Sequence, residues 1–292
     1  MGTRPGVVPF TERTPRVAAA RRLTKRSGRA EAGRFVAEGA QAVREALAWA
    51  AAGHGRVHEM FVTTTAADRN PELVRAAESA SVPVSVITDR AAASLSETVT
   101  PQGVLAVCDL VDQPVDVALR GAPLLVVVLY GVSDPGNAGT VIRVADAAGA
   151  DAVLLAGDTV DPHNGKSVRA SAGSLFHLPV ARTRQPAAAL DACRTAGLRL
   201  VAADGHATSD LDTATDAGEL AAPTAWVFGS EAHGLPADVL TGVDTSLRVP
   251  IHGYAESLNL ATAAAVCLYT TARAQRYIDR QGTRRRPAGP VS

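Results

Sequence analysis

The chain has 292 residues, an apolar fraction of 47% and equal numbers of basic and acidic residues, 29 of each. This length can bury a substantial core and favours two domains. No uncharged stretch reaches the roughly 18 residues of a membrane span, and Cys108, Cys193 and Cys267 match no disulfide framework or zinc spacing, so we expect a cytoplasmic protein with no membrane segment and no metal.

Both ends of the chain are basic, and the middle is acidic. Residues 1–34 hold nine Arg or Lys against two Glu, and residues 271–292 hold six Arg against one Asp. Such ends are typical of arms that contact phosphates, although solvated tails have the same composition. Residues 1–15 lack the apolar core of a signal peptide and indicate a flexible lead or a tag. Residues 280–292 indicate a basic disordered tail.

The first part of the chain has the pattern of a small α/β domain, residues 16–110. RFVAEG (34–39) predicts a strand, and AQAVREALAWAAAG (40–53) predicts a helix with apolar residues at helical spacing. VHEMFVTT, a helix around 71–80, PVSVIT and GVLAVCDL continue the alternation. Two prolines and a glycine then mark residues 111–123 as a linker.

The second part of the chain, residues 124–279, has strands that are apolar without interruption. They are LLVVVLY, DAVLLA, LRLVAA, TAWVFG and LRVPI. Continuous apolar runs indicate a parallel sheet with helices on both faces. A long helix is predicted from Ser257 to about Asp279.

The common nucleotide-binding motifs do not fit this chain. The glycines of GVSDPGNAG (131–139) do not follow the G-x-G-x-x-G order. HNGKS (163–167) lacks the glycine that a phosphate-binding loop needs five residues before Gly165, where Val160 stands. There is no G-x-S-x-G motif. The histidines lack metal-ligand spacing and are read as surface or packing residues.

Three loops follow strands of the predicted sheet and carry polar residues. They are Asn137–Arg143, GSEAHGL (229–235) and the end of VPIHGYAESLN (249–259). Singly, each has an ordinary explanation: a surface salt bridge, a tight turn, or a helix cap at Ser257. Because ligands bind beyond the carboxyl ends of parallel strands, the three together predict one shared site.

These loops resemble the SpoU (TrmH) family of RNA ribose 2′-O-methyltransferases. The matching motifs are N-x-G-x-x-x-R at 137–143, G-S-E-x-x-G-L at 229–235 and P-x-x-G-x-x-E-S-L-N at 250–259, in the order and spacing of the family. EG at 38–39 and PQGVLA at 101–106 resemble its small RNA-binding domain more weakly. The resemblance implies an α/β fold: a C-terminal parallel-sheet trefoil knot preceded by a small α/β RNA-binding domain.

The resemblance also implies roles for individual residues. The residues implied to face the ribose and act in catalysis are Asn137, Arg143, Glu231, Ser257 and Asn259. Those implied to enclose the cofactor, S-adenosylmethionine, are Ala203, Gly229, Val249, Ile251 and Leu258. Those expected to contact RNA are Arg21, Arg22, Lys25, Arg26, Arg34, Lys166 and Arg169.

One position departs from the family pattern, and one role stays open. The second motif commonly has glycine after the glutamate, and here Ala232 stands there, so a loop of different shape is expected. Family precedent makes Arg143 the proton acceptor, but a guanidinium is normally only a donor. Arg143 is therefore either a base activated by its surroundings or a clamp for the developing alkoxide and a phosphate.

The resemblance implies a homodimer that acts on RNA. The stripe Leu260, Ala264, Leu268 and Ala272 of the last helix suits a dimer interface or an ordinary core. Family members with a separate N-terminal domain, including the thiostrepton-resistance enzymes, mostly modify the RNA of the large ribosomal subunit. The resemblance therefore implies 23S rRNA as the substrate. Transfer RNA is the alternative substrate. A non-catalytic RNA-binding or ribosome-assembly factor and a nucleotide-binding metabolic enzyme are the alternative functions.

Overall fold

The structure is a computed structural model that describes residues 8–280, with side chains described as far as Arg276. The chain forms two compact units. The first contains the residues up to Val111, Asp134–Arg143 and Val160–His177. The second contains Asp112–Ser133, Val144–Thr159 and the residues from Leu178 onward. Residues 1–7 of the predicted lead and 281–292 of the predicted tail lie outside the described residues.

Helices and strands alternate along the chain. As far as residue 111 they are α1 (Pro15–Arg22), α2 (Arg26–Ala32), β1 (Arg34–Glu38), α3 (Ala40–Ala51), β2 (Val57–Thr63), α4 (Thr64–Arg69), α5 (Pro71–Ser79), β3 (Val84–Ile87), α6 (Asp89–Leu95) and β4 (Val104–Asp109). From residue 112 they are β5 (Asp112–Gln113), α7 (Val115–Ala118), β6 (Leu125–Tyr130), α8 (Pro135–Ala148), β7 (Ala152–Ala156), α9 (Gly165–Ser171), β8 (Val180–Thr183), α10 (Pro186–Thr195), β9 (Arg199–Ala203), β10 (Ser209–Asp210), α11 (Leu211–Asp216), β11 (Thr224–Phe228), α12 (Ala237–Gly242), β12 (Thr245–Arg248) and α13 (Leu260–Arg280).

The first unit is built on a four-stranded sheet in the order β1-β4-β2-β3. β4 pairs antiparallel with β1 and β2, and β3 pairs parallel with β2. Each strand predicted for this part of the chain is present, and so are the two predicted helices, as α3 and α5. Apolar residues of α1, α6 and the sheet form one buried cluster, in which Val17, Phe61 and Leu105 are at most 1% exposed.

A buried ion pair lies within the first unit. Arg29 of α2 is 3% exposed, and its Nε and Nη2 each lie 2.8 Å from Oδ2 of Asp161. Its Nη1 donates to the carbonyls of Leu23 and Thr24 at 3.0 and 2.9 Å. His163 lies 3.2 Å from Asp161 through Nδ1. The imidazole Nε2 of His163 accepts a hydrogen bond from the amide N–H of Val111 at 3.1 Å. The ring proton therefore lies on Nδ1, which faces the carboxylate of Asp161.

The second unit is built on an eight-stranded sheet in the order β10-β12-β9-β11-β6-β7-β8-β5, and all neighbouring strands are parallel. Every residue of β7 and β11 is buried, as the continuous apolar runs predicted. β8, β5 and β10 were not predicted, because they are short and partly polar. The stretch 111–123 contains β5 and α7.

The last helix begins later than predicted and presents its apolar stripe inward. α13 starts at Leu260, so the predicted start at Ser257 is wrong. Ala264, Leu268 and Ala272 are at most 5% exposed and belong to the core, which is the second of the two predicted uses of the stripe. Two other apolar residues of α13, Val266 and Tyr269, are exposed. Within residues 8–280 no helix is long and apolar enough to cross a membrane.

Candidate functional site

A cavity of about 660 Å³ opens at the carboxyl ends of β9, β11 and β12 in the second unit. This is the edge of a parallel sheet at which ligands bind. Eight residues predicted from the sequence line the cavity, namely Ala203, Gly229, Glu231, Val249, Ile251, Ser257, Leu258 and Asn259. They include all five residues that were expected to enclose the cofactor.

Several lining residues were missed by sequence reasoning. Asp204 and Gly205 follow β9, Arg248 ends β12, and Glu256 precedes the predicted Ser257. A signal for the first two is present, since an Asp-Gly pair directly follows the apolar run LRLVAA. Nothing in the spacing marks Arg248, because a single arginine at a strand end is usually a surface residue.

The loop after β11 is closed by its own backbone. The N–H of Ser230 donates to the carbonyl of Gly234 at 3.1 Å, and the N–H of Gly234 donates back at 2.9 Å. A Cβ atom on Gly229 would lie 2.2 Å from the carbonyl carbon of Gly234, so only glycine fits there. The positive φ of this loop, +63°, is taken by Gly234 and not by Ala232. The departure from the family pattern therefore imposes no backbone strain at Ala232.

Glu231 lies at the mouth of this loop and is exposed. One carboxylate oxygen accepts a long hydrogen bond of 3.5 Å from the N–H of Ser133, which follows β6. The partner of Glu231 in this contact is a backbone amide. His233, which follows Ala232, is exposed and donates its backbone N–H to Oγ of Ser230 at 3.2 Å.

The third loop, 249–259, runs from β12 to α13 over the cavity. Asn259 is the N-cap of α13: its Oδ1 accepts from the N–H of Ala261 at 2.9 Å, and its carbonyl accepts from the N–H of Ala263 at 2.9 Å. Ser257, considered as a cap from the sequence, lies two residues before the cap and is an exposed lining residue.

Asn137 and Arg143 belong to the first unit and lie on the first and third turns of α8. Asp134 is the N-cap of this helix, since its Oδ1 accepts from the N–H of Asn137 at 2.8 Å, and Pro135 follows at the first helical position. A hydrogen bond from Lys166, 2.6 Å from Oδ2, is the main reason that the pKa of Asp134 lies below its ordinary value. Arg143 is exposed.

α8 packs closely on α9 because of one glycine. A Cβ atom on Gly139 would lie 2.3 Å from the carbonyl oxygen of Ser167 and 2.8 Å from Cβ of Ala170. The glycine two residues after Asn137 is therefore required by helix packing. Oγ of Ser167 is buried and has no hydrogen-bond partner among the described residues.

The residues expected to contact RNA divide into two groups. Five are exposed on α1, α2 and the segments beside them, namely Arg21, Arg22, Lys25, Arg26 and Arg34. The other two are engaged within the first unit. Lys166 pairs with Asp134, and Arg169 lies 2.9 Å from the buried Glu38. Within the described part of the chain, no group of three or more His, Cys, Asp or Glu side chains is placed to hold a metal ion.

Comparisons with known proteins identify the family. The sequence profile of the "SpoU rRNA Methylase family" matches residues 124–269, and that of the "MRM3-like substrate binding domain" matches residues 14–106. The 23S rRNA (guanosine(2553)-2'-O)-methyltransferase RlmP of Bacillus subtilis is 32% identical over 85% of this chain and 92% of its own length.

Two solved structures extend this similarity over nearly the whole chain. One is an AdoMet-bound rRNA methyltransferase from Sinorhizobium meliloti, with a TM-score of 0.78 and 28% identity over 91% of this chain and 98% of that one. The other is the SpoU methyltransferase AviRb from Streptomyces viridochromogenes in complex with AdoMet, with a TM-score of 0.76 and 30% identity over 91% of this chain and 100% of that one. The predicted fold class is confirmed, and the chain belongs to the SpoU rRNA methylase family.

Proposed function

We propose that this protein transfers a methyl group from S-adenosylmethionine to the 2′-hydroxyl of a ribose in RNA, and that the RNA is 23S rRNA. The observation that carries the proposal is the cavity at the carboxyl ends of three parallel strands, which eight residues of the predicted site line. Relatives named as 23S rRNA 2'-O-methyltransferases support the reaction and the class of RNA.

The cavity fits the cofactor in size and chemistry. Its volume of about 660 Å³ lies within the range of small-molecule sites, roughly 300–1,000 Å³. Ile251 and Leu258 offer apolar surface for an adenine ring, and Gly229 lets backbone amides approach closely. When bound, the cofactor supplies a methyl group activated by a positively charged sulfur. The carboxylates of Glu231 and Glu256 complement that charge.

The residues of α8 receive the ribose in this proposal. The 2′-hydroxyl must approach the methyl group from the side opposite the leaving sulfur, so orientation supplies much of the rate. We assign Arg143 to clamp a phosphate and stabilise the 2′-oxygen while the hydroxyl proton passes to water, because its exposed guanidinium offers hydrogen-bond donors to both groups. The amide of Asn137 would hydrogen-bond the ribose.

We also assign roles towards the ribose to Glu231, Ser257 and Asn259 of the second unit. Asn259 uses Oδ1 to cap α13, which fixes the direction of its amide group. Ser257 offers an exposed hydroxyl at the same loop end, and Glu231 orients the backbone after β6. These are assignments by chemistry: each side chain offers the donor or acceptor that a ribose needs.

RNA contact by the first part of the chain follows from charge. Five exposed Arg or Lys side chains of residues 21–34 offer cations to phosphates. Glu31 is the only acidic residue in this stretch. We therefore propose residues 16–110 as the RNA-binding domain, 111–123 as the connection and 124–279 as the methyltransferase domain, in a protein that works in the cytoplasm, where ribosomes assemble. Lys166 and Arg169 would contact RNA only after exchanging their carboxylate partners.

We further propose that the protein is a homodimer. Val266 and Tyr269 of α13 are 38% and 53% exposed, and Tyr254 of the neighbouring loop is 107% exposed. Apolar surface concentrated on one loop and the helix after it is typical of an interface. These exposed residues, and not the buried stripe of α13 that the sequence suggested, form the proposed dimer interface.

The test is transfer of labelled methyl from S-adenosylmethionine to RNA from cells that lack this protein, with an Arg143→Ala variant alongside. Label in 23S rRNA as a 2′-O-methyl nucleotide, lost in the variant, is the expected result. Label in transfer RNA would replace the substrate. Binding of S-adenosylhomocysteine without labelling of ribosomal RNA at any stage of assembly would favour a non-catalytic RNA-binding factor.

A further inference from the structure

Arg248 connects two walls of the cavity in the second unit. It is the last residue of β12 and lines the cavity beside Val249. Its Nη1 crosses to the loop that follows β9 and donates to the carbonyls of Ala207 and Thr208 at 2.6 and 2.8 Å. Its Nη2 lies 3.5 Å from Oδ2 of Asp210. One guanidinium therefore holds three acceptors of a neighbouring segment.

The loop that Arg248 holds is irregular and forms a wall of the cavity. Asp204 and Gly205 of this loop line the cavity directly. Asp204 closes the turn, because its carboxylate accepts from the N–H of His206 and its carbonyl accepts from the N–H of Ala207. The N–H of Asp204 also donates to the carbonyl of Leu247 at 3.0 Å. The start of the loop is thus held by backbone, and its end is held by Arg248.

The anchor at Asp210 is itself well defined. Hydrogen bonds from Thr213, together with the charge of Arg248, hold the pKa of Asp210 below its ordinary value. Its Oδ1 accepts from the N–H of Thr213 at 2.8 Å and caps α11. Arg248 therefore connects the loop to the N-terminus of α11, which fixes the position of this wall of the cavity.

We propose that Arg248 is a positioning residue that preorganises the cofactor cavity by holding the 204–208 loop against the end of β12. The inference rests on the proposed function, because the cavity is taken to be the cofactor site. When the loop is already held in place, ligand binding does not have to order it and avoids that entropic cost. Removing the contacts that hold the loop should therefore weaken binding. A guanidinium can serve two carbonyls and a carboxylate at once, whereas an ammonium group cannot do so in the same geometry.

The chain offers a matched control on the other side of the same sheet. Arg182 lies on β8, one strand in from the edge strand β5, and its Nε and Nη2 lie 2.8 Å from Oδ2 of Asp112 in that edge strand. Arg248 likewise lies one strand in from the edge strand β10 and reaches Asp210. Arg182 does not line the cavity. Its removal breaks a comparable pair without touching the proposed site.

The experiment measures the Kd of S-adenosylhomocysteine by calorimetry and the unliganded Tm for wild type, Arg248→Met, Arg248→Lys and Arg182→Met. We expect Arg248→Met to bind about tenfold more weakly and Arg248→Lys a few-fold more weakly, while Arg182→Met binds like wild type even if its Tm falls as far. At saturating S-adenosylmethionine, Arg248→Met should keep most of kcat while the KM for the cofactor rises.

Two results would overturn the inference in distinguishable ways. Wild-type affinity in Arg248→Met, or equal weakening in Arg248→Met and Arg182→Met, would make Arg248 a purely structural residue while leaving the cofactor site intact. A wild-type protein that does not bind S-adenosylhomocysteine would instead remove the proposed function and the inference with it.

Discussion

Removing the guanidinium of Arg29 should destabilise the first unit more than any exposed ion pair can. In Arg29→Met the carboxylate of Asp161, which is 5% exposed, loses its cation, and the carbonyls of Leu23 and Thr24 lose a donor. Breaking a buried pair by removing one partner costs about 3–5 kcal/mol, since the remaining charge stays buried. That is a large part of a typical stability of roughly 5–15 kcal/mol.

The same pair predicts a dependence on pH. Burial alone would raise the pKa of the Asp161 carboxyl, but hydrogen bonds from His163 and the positive charge of Arg29 hold it well below its ordinary value. A lowered carboxyl pKa contributes stability that is fully present above the unfolded pKa of about 4 and is lost as the pH falls through the folded pKa. Wild type should therefore lose part of its stability below about pH 4, and Asp161→Asn should lack this part of the dependence.

Urea unfolding, followed by the fluorescence of Trp49, measures the effect within the first unit. A Trp226→Phe background removes the tryptophan of the second unit, and Trp49 packs against Phe176 with ring centroids 5.7 Å apart. The control is Arg44→Met, whose pair with Glu72 is exposed and should cost at most about 1 kcal/mol. Equal losses of unfolding free energy in Arg29→Met and Arg44→Met would refute the reasoning.

Three further predictions concern the second unit. Gly229→Ala should abolish measurable binding of S-adenosylhomocysteine in equilibrium dialysis, because its Cβ would meet the backbone of Gly234 at 2.2 Å; retained binding would contradict this geometry. Asn259→Ala should lower the unfolding free energy by about 1 kcal/mol, and Asn259→Asp should not, since aspartate also caps a helix. Burial raises the pKa of Cys193 and Cys267 to about 12, so iodoacetamide at pH 8 should label them only in denaturant; rapid labelling of the native protein would be inconsistent with that burial.

Strands whose residues are all buried were the easiest to predict from the sequence. LLVVVLY and TAWVFG are apolar on both faces because helices cover both faces of a parallel sheet, and that pattern can be read without a structure. β8 carries Arg182 and Thr183 at its end, and β5 and β10 have two residues each, so no apolar run marks them. Their positions depend on pairing with strands that are distant in the sequence.

Site residues could be predicted where the family motifs and the backbone geometry restrict the residue type. They could not be predicted where the role of a side chain depends on contacts with residues distant in the sequence. Gly229 was implied by the resemblance to the family, and the structure gives the physical reason, since close approach of the backbone leaves no room for a side chain there. Asn259 and Ser257 are both good caps, so composition cannot say which one begins α13. The pairing of Arg169 with Glu38, 131 residues away, and the reach of Arg248 across to Ala207 leave no pattern in the sequence.

The strand order of the eight-stranded sheet has a consequence for synthesis of the chain. β6 lies between β7, which follows it closely, and β11, which begins about ninety residues later. At a ribosomal speed of about 5–20 residues per second, one edge of the apolar strand β6 stays without its partner for roughly 5–20 seconds. An unpaired apolar edge is the kind of surface on which nascent chains aggregate. Substitutions that slow the arrival of β11 should therefore lower the yield of folded protein even where they leave the finished sheet unchanged.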